Sequence, residues 1–159
     1  MNELARQCHY HFAAEGIKVI EFAQSGLKPL LKFARRKGIE WHVLTDGDEA
    51  GKKYAATARS QIAAEEHEAN YLTQLPALDM EHFLNRQGFS AVYHRVARLP
   101  EGVPMNLRRV IAKAISHSSK PDLAIAVAEE AAVRGTDAIP PLLRKMFARV
   151  QWLARGKAD

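Results

Sequence analysis

Cysteine is nearly missing: Cys8 is the only one in 159 residues. A single thiol excludes an internal disulfide and a cysteine-rich zinc site, and it fits a cytoplasmic protein. Long hydrophobic runs are lacking too. No window approaches the ~18 consecutive apolar residues of a membrane span. Glu3, Arg6 and His9 interrupt any apolar stretch that could serve as a secretory signal. There are no internal repeats and no low-complexity tracts. No Gly-x-x-x-x-Gly-Lys-Ser/Thr segment occurs, so the chain has no phosphate-binding loop of the nucleotide-hydrolase kind. What is present is ordinary globular composition, 47% hydrophobic and 26% charged. That suffices for one compact domain, or a small domain with a helical appendage. The formal charge of +5 permits a polyanionic partner.

The first half alternates. Residues 1 to about 14 read as a helix closed by Gly16. The β-branched run Ile17-Lys18-Val19-Ile20-Glu21-Phe22 predicts a strand, and Gln24-Ser25-Gly26 a turn. A helix follows over residues 27–37, with Pro29 in its first turn and Gly38 after its end. Its apolar positions are Leu27, Leu30, Leu31 and Ala34; its basic positions are Lys28, Lys32, Arg35 and Arg36. Both sets repeat at helical spacing, so the faces are distinct. Trp41-His42-Val43-Leu44-Thr45 predicts a second strand. Residues 51 to about 65 predict a helix, residues 68–72 a weaker strand, and residues 78–87 a short helix. Such alternation implies parallel strands with helical crossovers. From about Gly88 the pattern turns helical. Leu99-Pro100-Glu101-Gly102 is a loop, and helices are expected over residues 106–117, 121–134 and 141–154. The expected division is an α/β part over residues 1–87 and a helical subdomain over residues 88–159.

The most informative segment is Leu44-Thr45-Asp46-Gly47-Asp48-Glu49-Ala50-Gly51-Lys52. Two carboxylates stand two residues apart where a strand ends, and in a parallel sheet that end faces the ligand crevice. Gly47 allows a tight turn that aims both at one spot. Asp46, Asp48 and Glu49 repel one another unless a cation or basic groups offset them. Hard cations such as magnesium take clustered oxygen ligands. The competing reading is a solvated Asp-Gly turn beside a helix start. A second acidic set, Asp79 and Glu81 in Leu75-Pro76-Ala77-Leu78-Asp79-Met80-Glu81-His82, also follows a predicted strand. It can reach the same crevice, or it can be an acidic first helical turn favoured by the helix dipole.

At these residues a family resemblance emerges. Thr45-Asp46-Gly47-Asp48-Glu49-Ala50-Gly51 resembles the Toprim Asp-x-Asp motif. Together with Asp79-Met80-Glu81-His82-Phe83-Leu84 and Ser119-Lys120-Pro121-Asp122, it resembles the C-terminal region of the overcoming lysogenization defect (OLD) family. The likeness runs over residues 17 to about 134. It implies an α/β fold, a Toprim-like parallel sheet flanked by helices and followed by an all-helical subdomain. It also implies a DNA endonuclease with two magnesium or manganese ions. By resemblance Asp46, Asp48, Glu49, Asp79 and Glu81 are metal ligands, Asp46 and Asp48 also serve catalysis, and Lys120 stabilises the transition state. DNA is the implied partner, with an N-terminal ATPase domain in a longer parent protein and room for a homodimer formed through that parent. Toprim domains begin with a strand and a Gly-rich turn carrying a glutamate. No Glu-Gly-x-Thr-Glu-like segment precedes Ile17, and Glu3 and Glu15 lack that context, so the chain alone is expected to be a poor nuclease.

Three functions stay open at this point. The first is the nuclease, with Lys28, Lys32, Arg35 and Arg36 contacting the DNA backbone. The second is a phosphatase-like domain in which Asp46 accepts a phosphoryl group. The third is an incomplete Toprim fragment that only binds nucleic acid or mediates association.

Overall fold

A computed structural model describes residues 1–22, 26–100 and 105–157. The predicted turn at Gln24-Ser25-Gly26 and the loop at Leu99-Pro100-Glu101-Gly102 lie partly outside these residues. The elements are α1 (Asn2–Gln7), α2 (Leu27–Arg36), β1 (Val43–Thr45), α3 (Glu49–Ser60), α4 (Glu68–Tyr71), β2 (Leu72–Gln74), α5 (Met80–Leu84), α6 (Ser90–Ala97), α7 (Leu107–His117), α8 (Lys120–Arg134) and α9 (Pro141–Ala154). No described helix is long and apolar enough to cross a membrane.

Among the described residues the sheet has two strands, parallel, with Val43, Leu44 and Thr45 opposite Leu72, Thr73 and Gln74. The expected parallel α/β arrangement is therefore present in small form, followed by helices. Four expectations need correction. The first helix stops at Gln7 rather than near residue 14. His9 turns the chain at φ 65, and Tyr10 N–H bonds back to Ala5 O at 3.0 Å. The run at residues 17–22 is no strand: it has no ladder partner among the described residues, and Val19 and Ile20 are 47% and 53% exposed. β-branching favours a strand only where a pleated neighbour exists to pack against. Glu68–Tyr71 is a helical turn rather than a strand, and pairing begins one residue later at Leu72. The expected helix over residues 78–87 divides as well. Its regular part is α5, which ends at Leu84; the backbone then kinks at Gln87 and Gly88 (φ 107), and α6 begins beyond it, where no helix was expected.

Two clusters hold the chain together. In the smaller one, Leu27 and Leu31 of α2 meet Val43, Leu72, Ala55 and Ala58. The small residues Gly51, Ala55 and Ala58 let α3 lie close to the strands. The larger cluster joins Leu4, Ala5 and Phe12 to Phe83, Tyr93, Ile111, Leu123 and Phe147. Phe12 stands edge-on to Phe147, with ring centroids 5.7 Å apart. This cluster ties α5 to the helices of the second half.

The sheet edge where both strands begin is fastened by polar side chains. His42 Nδ1 donates to Asn70 O at 2.7 Å, which leaves Nε2 to accept from Thr73 Oγ1 at 2.7 Å. Burial depresses the His42 pKa, and nearby Arg149 adds to the effect against the Asn70 hydrogen bond. Arg149 of α9 also donates to the Asn70 side chain. Close by, Arg35 donates to Gln61 O and to Glu66 Oε1, each at 2.8 Å. Burial alone would raise the Glu66 carboxyl. Hydrogen bonds from Ala63 N–H, Tyr71 and Arg35 outweigh it and hold the carboxyl at about 2. A depressed carboxylate stabilises the fold above its unfolded value of 4.5, and that contribution fades as pH falls toward about 2. Glu66→Gln should therefore cost about 2 kcal/mol at neutral pH. In thermal melts across a pH series, the gap between variant and wild type should close between these two values. A gap independent of pH would show that charge plays no part in this contact.

Candidate metal centre

Parallel pairing puts the ends of β1 and β2 side by side, so the two acidic loops leave the sheet from one edge. Backbone hydrogen bonds lace them together. Leu75 N–H donates to Thr45 O at 2.9 Å, and Gly47 N–H donates to Ala77 O at 2.8 Å. Gly47 has no room for a side chain: a Cβ there would stand 2.3 Å from Ala77 O and 2.6 Å from Leu75 O. A Cβ at Gly51 would stand 2.0 Å from Asp46 O. Both glycines are thus required for close approach, not for an unusual φ.

Asp48 and Asp79 each cap a helix. Asp48 Oδ1 accepts from Gly51 N–H at 2.7 Å and starts α3. Asp79 Oδ1 accepts from His82 N–H at 2.8 Å, starts α5, and lies 2.7 Å from the His82 ring Nδ1. A cap satisfies one of the orphan N–H groups at a helix start. In each carboxylate it leaves the second oxygen uncommitted to the cap. Burial opposes ionisation of Asp79, but the His82 hydrogen bonds prevail and hold it below its ordinary value, with Glu81 also in hydrogen-bonding reach.

Asp46 is the electrostatic centre. Burial first, then the charges of Asp48, Asp79 and Glu81, raise its carboxyl above the ordinary value, with Lys120 acting against them. Asp46 still reaches solvent, so water screens part of the repulsion. Lys120 Nζ lies 3.8 Å from Glu81 Oε1. Ser119 caps α8 by accepting from Asp122 N–H at 3.2 Å, which fixes where Lys120 begins the helix. At the end of β1, Thr45 Oγ1 is buried without a hydrogen-bond partner among the described residues.

The structure thus brings Asp46, Asp48, Asp79, Glu81 and Lys120 to one edge. It leaves Glu49 outside, 87% exposed and paired with Lys52 at 3.1 Å. Among the described residues, no three carboxylate, histidine or cysteine groups converge tightly enough to hold a metal ion. The donor chemistry nonetheless suits a hard cation: four carboxylates with mutual repulsion, two of them with a spare oxygen. The basic set on α2 is divided. Arg35 is committed to Gln61 and Glu66 at the far edge of the sheet, whereas Lys28, Lys32 and Arg36 are exposed and have no acidic partner among the described residues.

Residues 1–48 match the family described as the overcoming lysogenization defect protein-like TOPRIM domain. The match supports a Toprim-type domain in this chain. It ends at Asp48 and so takes in the first acidic loop. The uncharacterized protein YbjD of Escherichia coli (strain K12) is 72% identical over 160 residues, covering 100% of this chain and 29% of that relative. The chain thus spans under a third of the length of the curated relative it matches. No solved structure matches it.

Two residues at the site escaped the sequence reading. His82 is buried against Asp79; its spacing of three from an Asp at a helix start was the available signal. Tyr93 of α6 is buried, and burial first, then Glu81 and Asp79, push its phenol pKa up. Nothing in its local sequence points there.

The tight glycine contact leads to a stability prediction. Gly47→Ala forces one loop off the other and should cost about 2–3 kcal/mol. Gly16→Ala, where a Cβ meets nothing within 4 Å and only φ +73 is strained, should cost about 1 kcal/mol. Denaturant unfolding compares the two. Equal losses would show that the acidic loops are not packed as described.

Proposed function

We propose that this acidic edge belongs to a metal-dependent endonuclease that hydrolyses phosphodiesters in DNA, within a longer OLD-like protein that carries an ATPase domain. The observation that carries the reading is the gathering of Asp48, Asp79, Glu81 and Lys120 around Asp46. The match over residues 1–48 supports it. Asp46, Asp48 and Glu81, with the uncapped oxygen of Asp79, would hold one or two magnesium or manganese ions. Such cations supply Lewis acidity toward a phosphate oxygen.

The chain's own residues account for the rest. The two helix caps hold the Asp48 and Asp79 carboxylates in fixed orientations at low entropic cost. The laced loops keep the two carboxylate sets at a constant separation. Lys120 sits at the rim beside Glu81, where an ammonium offsets charge developing on a phosphate oxygen. His82 holds Asp79 ionised, so this carboxylate stays a ligand rather than an acid.

The test is plasmid nicking by a protein of the relative's length carrying this sequence, with magnesium or manganese. Asp46→Ala, Asp48→Ala and Glu81→Ala should each lower the rate roughly a hundredfold or more, about 2.7 kcal/mol of transition-state stabilisation. Lys120→Ala should slow cleavage and leave manganese binding by calorimetry unchanged. Undiminished cleavage by Asp48→Ala would refute the reading.

A further inference from the structure

The positive charge of this chain is concentrated in one stretch. From His82 to Lys120 there are seven lysines and arginines against one acid, Glu101. The whole chain has 23 against 18, so the remainder carries 16 basic residues against 17 acids. The entire excess of +5 therefore comes from the segment that builds α6 and α7.

Packing turns that charge outward. α6 and α7 lie against each other and put Val92, Tyr93 and Ala97, and Val110, Ile111 and Ala114, into the shared core. Arg95, Arg98, Arg108 and Arg109 are exposed, and Lys113 is half-buried. None of these five has an acidic partner among the described residues, as is true also of Lys28, Lys32 and Arg36 on α2, whereas Arg35, Arg59, Arg134 and Arg155 do. Arg109 and Lys113 are one turn apart on α7, about 6 Å along its axis. This row leads toward the acidic edge. α7 packs on α5, which bears Glu81, and Ser118 and Ser119 join α7 to Lys120, 3.8 Å from Glu81.

A cluster of carboxylates repels phosphates, so a polyanion reaches it only if a neighbouring surface supplies the opposite field. The α2 face cannot do this as a unit, since Arg35 is bound at the other edge of the sheet. We propose that the outward face of α6 and α7, centred on Arg95, Arg108, Arg109 and Lys113, is the principal surface that binds the nucleic-acid backbone and leads it to the acidic edge. The inference rests on the nucleic-acid substrate class assigned above. Backbone contacts of this kind give affinity without sequence choice.

The test is fluorescence anisotropy of the 159-residue chain with a short labelled DNA duplex, from about 50 to 200 mM salt. The triple variant Arg108→Glu/Arg109→Glu/Lys113→Glu should bind at least tenfold more weakly. Its log–log salt slope should be shallower by roughly 2 to 3, at about 0.9 per phosphate contact. The matching variant on α2, Lys28→Glu/Lys32→Glu/Arg36→Glu, should lose less. A glutamine triple at positions 108, 109 and 113, with an unchanged far-ultraviolet circular dichroism melt, guards against misfolding and should show the same direction. If wild type binds but both α7 variants bind equally well, this surface is wrong and the nuclease reading stands. If wild type binds no duplex at low salt, the nucleic-acid reading itself fails. If polyglutamate displaces the duplex as well as unlabelled DNA does, an acidic protein is the partner and the proposal is overturned.

Discussion

The hydrogen bond from Gly47 N–H to Ala77 O is the contact on which the site depends. Parallel pairing of β1 and β2 sets two chain ends side by side, but pairing stops at Thr45 and Gln74. Beyond that point the loop-to-loop contact, with Leu75 and Ala77 packed in the larger cluster, keeps Asp46 and Asp48 near Asp79 and Glu81. That approach leaves no space for a Cβ at position 47, and the close return of α3 onto Asp46 leaves none at position 51. The motif is therefore a packing solution as well as a set of ligands: its small residues let one backbone touch another.

Electrostatics then divides the molecule into regions with different tasks. The acidic edge concentrates like charge around Asp46, which is unfavourable unless cations or Lys120 compensate. The opposite edge resolves its charges internally. His42 is engaged at both ring nitrogens, and Glu66 is held by three donors. That edge has the character of a structural anchor, whereas the acidic edge leaves charge unsatisfied. A site that binds ions or anions needs that imbalance, and buried charges elsewhere in a fold do not tolerate it.

Legibility from sequence followed the range of the interactions. α2, α7, α8 and α9 were readable to within a residue or two, because helical spacing and the residues Gly38, Ser119 and Pro141 are local signals. The tight turn at Asp46-Gly47-Asp48 between β1 and α3 was readable because a strand end, a glycine and a capping aspartate lie next to one another in the chain. Residues 17–22 misled because β-branching registers a preference without registering whether a partner strand exists. Residues 68–71 misled because Asn70 is held by His42 and Arg149, and Tyr71 interacts with Lys157, all groups distant in sequence.

The amino-acid order by itself determined where α2, α7, α8 and α9 start and stop, which residues are acidic and basic, and that small residues surround Asp46 and Asp48. These follow from backbone sterics and side-chain chemistry within a few positions. Tertiary structure decided what local order cannot encode. It brought Lys120 to Glu81 across 39 residues of chain and buried Tyr93 beside the same acids. It also excluded Glu49 from the cluster by turning it to solvent. Each of these depends on how the α5–α8 core closes, because burial of apolar surface, not any local rule, fixes the distance between helix ends.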